Sequence, residues 1–281
     1  MELLAHIAEV RAALAPRRDA RQRIGFVPTM GALHAGHAEL IRVARAECPC
    51  VVVSIFVNPT QFGPHEDFAK YPRQLTADAE LCATYGADVI LAPQVSEMYP
   101  PGSTTIVEVA GLQDGLCGAA RPGHFRGVAT VVLKLFNIVQ PDLAFFGAKD
   151  GQQVRIIEQM VRDLDVPVQI RRVPTVRAAD GLALSSRNAY LSASDRTLAP
   201  RIYAALQATQ AAVRAGERDV ARLQSALAAA LQAIPGARLD YAQIVDDVSL
   251  QPLTQLERPA LAAVAVHLGT TRLIDNVELN P

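Results

Sequence analysis

Short apolar runs alternate with helix-periodic stretches over roughly the first 175 residues. No other feature constrains the fold as strongly. Residues 24–27, 50–57, 87–91, 143–146 and 168–173 are dense in Val, Ile, Leu and Phe. Each is followed directly, or after one residue, by a proline, a glycine or an Asn-Pro pair. Runs this short, with little polar alternation, read as strands buried on both faces. Between them, His37, Leu40, Ile41 and Ala44 recur at helical spacing, and 77–85, 128–139 and 154–164 carry helical apolar density. Strands and helices in strict alternation predict an α/β domain with a parallel sheet covered on both faces. At the N-terminus, Leu3, Ile7, Val10 and Leu14 predict an amphipathic helix over 2–15. Pro16 should end it, with Arg17-Arg18-Asp19-Ala20-Arg21 as a solvated loop.

After about residue 175 the pattern changes. Residues 195–234 are rich in Ala and Leu and predict two helical segments joined near Gly216. Strand-like runs follow at 239–245, 261–268 and 272–277, the last two flanking Gly269-Thr270 as in an antiparallel hairpin. The expected division is 1–175 for the α/β domain and 176–281 for a smaller domain of helices and antiparallel strands. A length of 281 residues suits two domains at about 150 residues each.

Composition removes several function classes. Lys and Arg number 27 against 28 Asp and Glu, so the chain lacks the cationic excess of a nucleic-acid wrapper. Aromatic residues make up 5 % with no Trp, which disfavours base stacking. The apolar stretches 50–53 and 260–266 fall far short of the ~20 residues that cross a bilayer. Met1 is followed by an acidic residue and an amphipathic pattern, so no membrane partner and a cytoplasmic location are expected. Cys48, Cys50, Cys82 and Cys117 form no CxxC pair, and Cys48-Pro49-Cys50 is poorly spaced for a tetrahedral metal. They read as buried, idle thiols.

Open parallel sheets bind ligands beyond the carboxyl ends of their strands. Four polar clusters follow predicted strands: Pro28 to His37, Asn58 to Phe62, Gly147 to Gln153, and Pro174-Thr175-Val176 leading to Leu184-Ser185-Ser186-Arg187-Asn188. His34 and His37 stand three apart where a loop enters a helix, so their rings can face one phosphate while the helix start offers N–H groups. Gly31 and Gly36 permit close backbone approach. A metal pair and two structural histidines are the competing readings. Lys149 suits a phosphate. Asp150 suits a ribose hydroxyl or a helix cap. Ser185, Ser186 and Arg187 suit a polyphosphate clamp, or a polar loop with its cap. Gln61 and Gln153 suit hydroxyl recognition, although each alone reads as an ordinary surface glutamine. There is no GxxxxGK[ST] loop and no GxGxxG fingerprint.

The turn from Pro28-Thr29-Met30-Gly31 into His34-Ala35-Gly36-His37 resembles the HxGH turn of the nucleotidyltransferase superfamily. Four further strings narrow it: Ser54 to Phe62 (SIFVNPTQF) with Tyr71-Pro72-Arg73, Arg121-Pro122-Gly123-His124-Phe125, Lys149-Asp150 with Gln152-Gln153, and Leu184 to Asn188. Together they resemble the pantoate–β-alanine ligase family, in register from the N-terminus to about residue 192. The resemblance implies a Rossmann-like sheet domain, a smaller C-terminal α+β lid and a homodimer. It implies condensation of pantoate with β-alanine using ATP and Mg²⁺, through a bound pantoyl adenylate. It assigns ATP to Met30, Gly31, Ala32, Leu33, His34, Ala35, Gly36 and His37, to Gly147, Ala148, Lys149 and Asp150, to Val176, and to Leu184, Ser185, Ser186 and Arg187. His37, His34, Lys149 and Arg187 would be the catalytic groups, His37 being the usual proton donor. Gln61, Gln153 and Met30 would meet pantoate, and Gln61 and Asn58 would meet β-alanine. Ala148, Gly151 and Leu184 depart from the family's common residues, Glu, an aromatic or polar residue, and Met respectively. A nucleotidyltransferase that stops at a nucleotidyl product and a silent nucleotide-binding protein are the rival readings.

Overall fold

The computed structural model describes residues 1–64, 66 and 68–281, and they cluster into two compact units. Unit 1 comprises Met1–Val109, Arg121–Ala148 and Ile156–Pro174; unit 2 comprises Ala110–Ala120, Lys149–Arg155 and Thr175–Pro281.

In chain order the elements of the first part are β1 (Glu2–Leu4), α1 (Ile7–Asp19), β2 (Ile24–Thr29), α2 (Ala35–Glu47), β3 (Cys50–Ile55), α3 (Leu75–Thr84), β4 (Val89–Leu91) and α4 (Val95–Met98). Then come α5 (Leu116–Ala120), α6 (His124–Val139), β5 (Leu143–Gly147), α7 (Gly151–Asp163) and β6 (Gln169–Val173). The six strands form one sheet in the order β1-β4-β3-β2-β5-β6, and every pairing is parallel. The middle strands hold the buried residues, with Phe26, Val27, Val51, Val52 and Val53 fully covered. That is why they read as unbroken apolar runs. The outer strand β6 instead carries Arg171 and Arg172, paired with Glu47 and Glu158, a charged edge that discourages further strand pairing. Strand order reverses at β2, which lies between β3 and β5. The crevice at such a switch point is where open α/β sheets bind ligands.

The N-terminus differs from the sequence expectation. Glu2–Leu4 pair with Val89–Leu91 as an edge strand, and the helix runs from Ile7 to Asp19 with Pro16 inside it. A proline within a helix costs about 3 kcal/mol. Tertiary contacts offset this: Val10 and Leu14 are fully buried, and Arg18 donates to the Val139 carbonyl at 2.6 Å. The expected solvated loop is therefore largely the last helical turn.

Unit 2 continues with α8 (Ala193–Leu198), α9 (Pro200–Arg214), α10 (Val220–Gln232), β7 (Ala237–Asp246), β8 (Ala260–Leu268) and β9 (Thr271–Leu279). The three strands form an antiparallel sheet in sequence order, with a register shift between Leu239 and Tyr241. Residues of α9 and α10, such as Leu206, Leu227 and Leu231, share one core with Ala262, Val264 and Val266 of β8. Leu116, Leu250, Leu261 and Ala263 form a second cluster, so β8 is covered on both faces. No helix among the described residues is long and apolar enough to cross a membrane. The four cysteines are buried and free.

Candidate active site

In unit 1 the site is built where β2 ends. Gly31 and Ala32 both take left-handed backbone conformations (φ +81° and +52°), turning the chain sharply out of the strand. Thr29 secures the turn: its hydroxyl donates to the Ser54 carbonyl at 2.7 Å and accepts the Gly31 N–H at 3.2 Å. The Ala32 and Leu33 N–H groups donate to the two oxygens of Asp78, at 2.9 and 2.8 Å. His34 then caps α2, its Nδ1 accepting the Gly36 N–H at 3.1 Å. A side chain at Gly36 would begin 2.8 Å from the His34 ring, so only glycine lets the imidazole fold back onto the helix start. His37 Nδ1 accepts the His34 N–H at 3.3 Å, and the two ring centroids lie 4.3 Å apart. With both Nδ1 atoms acting as acceptors, each neutral ring carries its proton on Nε2. The HxGH spacing thus fixes the tautomers of two imidazoles at a helix N-terminus.

A second group of unit 1 surrounds Gln61, in the single 3₁₀ turn Pro59–Gln61 after β3. Gln61 is buried and donates Nε2–H to the Met30 sulfur at 2.7 Å. Asn58, also buried, orients that amide by donating Nδ2–H to Gln61 Oε1 at 3.1 Å and to the Gly127 carbonyl at 3.1 Å. Asn58 Oδ1 in turn accepts from the Tyr99 and Thr60 hydroxyls at 2.9 and 3.0 Å. Burial pushes the Tyr99 phenol up from its ordinary pKa, which keeps it a donor. The main chain of Gln61 is held as well: its carbonyl accepts from His124 Nδ1 at 2.8 Å, and Arg121 binds Glu66 through two 2.6 Å contacts while reaching His124 Nε2 at 2.9 Å. Burial pushes the Glu66 carboxyl up, and the Arg121 hydrogen bonds and charge outweigh it, so the net shift is downward. Gly147 and Ala148 leave β5 at the same end of the sheet, since β5 pairs in parallel with β2.

The Ala148–Asp150 turn leads into α7, and within unit 2 Lys149 Nζ lies 3.9 Å from Asp150 Oδ1. Asn276 of β9 donates to the Lys149 carbonyl at 2.7 Å. Gln152 is structural: its amide accepts the Cys117 N–H and donates to the Leu112 and Gly115 carbonyls. Its neighbour Gln153 is half-buried. The Leu184 N–H donates to the Val176 carbonyl at 3.0 Å, bringing Val176 beside the Leu184–Arg187 string. Ser185 caps the short turn Ser186–Tyr190 by accepting the Arg187 N–H. Arg177 locks this hairpin: it forks onto Asp275 at 2.6 and 2.9 Å and lies 3.5 Å over the Tyr203 ring.

The predicted residues fall accordingly. Met30 to His37, Asn58, Gln61, Gly147 and Ala148 belong to unit 1; Lys149, Asp150, Gln153, Val176 and Leu184 to Arg187 belong to unit 2. Sequence reasoning missed Asp78, Tyr99, Arg177, Asp275 and Asn276. Arg121 and His124 stand in one of the family strings, where the sequence gives them no role. Each acts on a partner distant in sequence, where spacing carries no signal. Among the described residues, no three His, Cys, Asp or Glu side chains form a metal cluster, so the metal reading of the histidine pair has no further ligands to complete it.

Comparison with known proteins agrees with this architecture. The family model described as pantoate-beta-alanine ligase matches residues 2–278. A pantothenate synthetase of Moorella thermoacetica is 54 % identical over 279 residues, covering 99 % of each chain. A pantothenate synthetase structure from Thermus thermophilus superposes with a TM-score of 0.95 at 50 % identity, covering 100 % of both chains. The structure of a pantoate-beta-alanine ligase from Francisella tularensis, complexed with beta-gamma ATP and beta-alanine, gives a TM-score of 0.79 at 37 % identity over 99 % of this chain and 97 % of that one. A match running nearly end to end, on a sheet that carries the HxGH turn at its switch point, places the chain in the pantoate–β-alanine ligase family.

Proposed function

We propose that this chain joins pantoate to β-alanine at the expense of ATP, releasing AMP and pyrophosphate through a bound pantoyl adenylate. The histidine pair carries the reading. Two imidazoles with Nδ1 committed to backbone N–H groups present Nε2–H donors at a helix N-terminus, an arrangement suited to phosphate oxygens.

A carboxylate is a poor acyl donor to an amine, and ATP supplies the leaving group. One pantoate carboxylate oxygen attacks the α-phosphorus in line, and the bond to the bridging oxygen breaks as pyrophosphate departs. The β-alanine amine then attacks the acyl carbon, the acyl–oxygen bond breaks, and AMP leaves with that oxygen while the amine loses a proton. Negative charge grows on phosphate oxygens, so the protein contributes positioning and preorganised donors. His34, His37, Lys149, Ser185, Ser186 and Arg187 are those donors, with His37 the proton donor. Met30 to His37, Gly147 to Asp150, Val176 and Leu184 to Arg187 hold ATP; Leu184 contributes its backbone. Gln61, Gln153 and Met30 hold pantoate. Gln61 also meets β-alanine, and Asn58 serves that end by holding the Gln61 amide. No enzyme nucleophile is required.

Mg²⁺ accompanies ATP in this reading. Mg²⁺ held by phosphate oxygens and water needs only one or two carboxylates, and Asp150, 46 % exposed, suits that role. The ion would neutralise charge on the departing pyrophosphate. The reading further includes a homodimer and a cytoplasmic location, the latter in keeping with four free cysteines. The deciding experiment is amide formation by the purified chain from pantoate, β-alanine and ATP. AMP should appear only when all three are present with Mg²⁺. Release of a stable nucleotidyl product instead would overturn the proposal, and light scattering at the mass of one chain would overturn the dimer.

A further inference from the structure

We propose that Asp78 is a positioning residue for ATP: its carboxylate fills the anion-binding hollow of the turn after β2 from within the protein and so sets where phosphates lie. Two successive left-handed residues, Gly31 and Ala32, make the amides that follow converge, a backbone geometry that receives anions. Here the anion is internal. The Ala32 and Leu33 N–H groups end on Asp78 Oδ2 and Oδ1, and Gln74 Nε2 adds a third, longer contact at 3.4 Å. Asp78 is 1 % exposed and is delivered by α3. The fit is close, since a side chain at Gly31 would begin 2.9 Å from Asp78 Oδ2.

Two consequences follow for a polyphosphate. The Ala32 and Leu33 amides are committed and leave it to the α2 N-terminus and the His34 and His37 rings. The carboxylate's charge behind the turn also repels phosphate from that side. Asp78 thereby holds His34 where it caps α2. Gln61 is held by other partners, Asn58 and His124, and its amide in turn reaches the Met30 sulfur, so the pantoate end does not depend on this carboxylate. An amide at position 78 offers a single oxygen and turns an NH₂ toward a backbone donor.

The inference rests on the ATP reading of the turn, and the test separates the two. In full-length enzyme, ATP and pantoate KM values are measured by pyrophosphate release, and a non-hydrolysable ATP analogue is titrated directly. Asp78→Asn should raise the ATP KM and the analogue Kd at least about tenfold, with pantoate KM within about twofold. Asp78→Glu, which keeps two oxygens and the charge, should recover part of the ATP loss. An unchanged ATP KM, a parallel rise in both KM values, or failure of both variants to fold would overturn the inference. A wild-type enzyme that releases no pyrophosphate would sink the functional reading instead, while the analogue titration still reports on Asp78.

Discussion

Asn276 donates its side-chain amide to the main-chain oxygen of Lys149 at 2.7 Å, so the last strand of the chain holds the segment that carries the lysine proposed to meet ATP. The approach is close because residue 151 has no side chain: a Cβ there would lie 3.1 Å from the Asn276 amide. One such hydrogen bond contributes about 1 kcal/mol. Asn276→Ala should therefore raise the ATP KM about fivefold, with a smaller change in pantoate KM. Steady-state pyrophosphate release measures both.

Lys149→Ala and His37→Ala should each slow adenylation at least about 100-fold, the scale of losing one preorganised oxyanion donor. Near-normal pantoate-dependent pyrophosphate release in either purified variant would contradict the assigned roles.

Gln61→Glu tests the amide orientation imposed by Asn58. Because Asn58 donates to Oε1, the opposite atom of residue 61 is a donor in the native protein. A carboxylate would replace it with a negative oxygen beside Met30, at the end of the site proposed for pantoate, which is itself an anion. Pantoate KM should rise at least about tenfold while ATP KM stays near the wild-type value.

Asp246 supplies an acid-dependent contribution to stability. Burial pushes its carboxyl up, but hydrogen bonds from the Ser249 N–H and hydroxyl, Arg258 and the Val248 N–H outweigh this and bring its pKa from 3.8 to about 2. A carboxyl depressed on folding stabilises the native state above its unfolded pKa and loses that contribution as pH falls toward the folded value. Asp246→Asn should thus lower Tm at pH 7, and the gap from wild type should narrow steadily between pH 4 and about pH 2. A gap of constant size across that window would show that the charge is not the stabilising element.

The buried thiols should be chemically silent in the native state. Burial pushes Cys82 up to about 12 and Cys48 up to about 11, leaving almost no thiolate at pH 8. Iodoacetamide should leave both unmodified until denaturant is added, and mass mapping of the alkylated peptides distinguishes the sites.

Much of this arrangement is legible in the chain itself. The central strands carry unbroken apolar runs because both their faces are buried, and the polar clusters that follow them stand at the carboxyl edge of the sheet, where open α/β sheets bind ligands. His34 and His37 are legible because their relationship is local, set by three residues and one glycine. What stays hidden is held across long sequence separations. Glu2–Leu4 is too short to show a period and is a strand only by virtue of Val89–Leu91. Pro16 reads as a terminator because the burial of Val10 and Leu14 and the Arg18–Val139 contact that offset its cost lie outside the local pattern. Asp78 and Asn276 look like ordinary polar residues until their backbone partners, Leu33 and Lys149, are placed beside them.

The position of β2 also governs the order in which the protein can be assembled. Its flank against β3 can close early in synthesis. Its other flank waits for β5, roughly a hundred residues later, and contacts of such separation form slowly. Until Leu143–Gly147 emerges, the nascent chain holds a finished HxGH turn beside an open sheet edge. The crevice at the switch point is therefore among the last features of the sheet to mature, and the exposed flank of β2 is where a partly made chain is most open to mispairing.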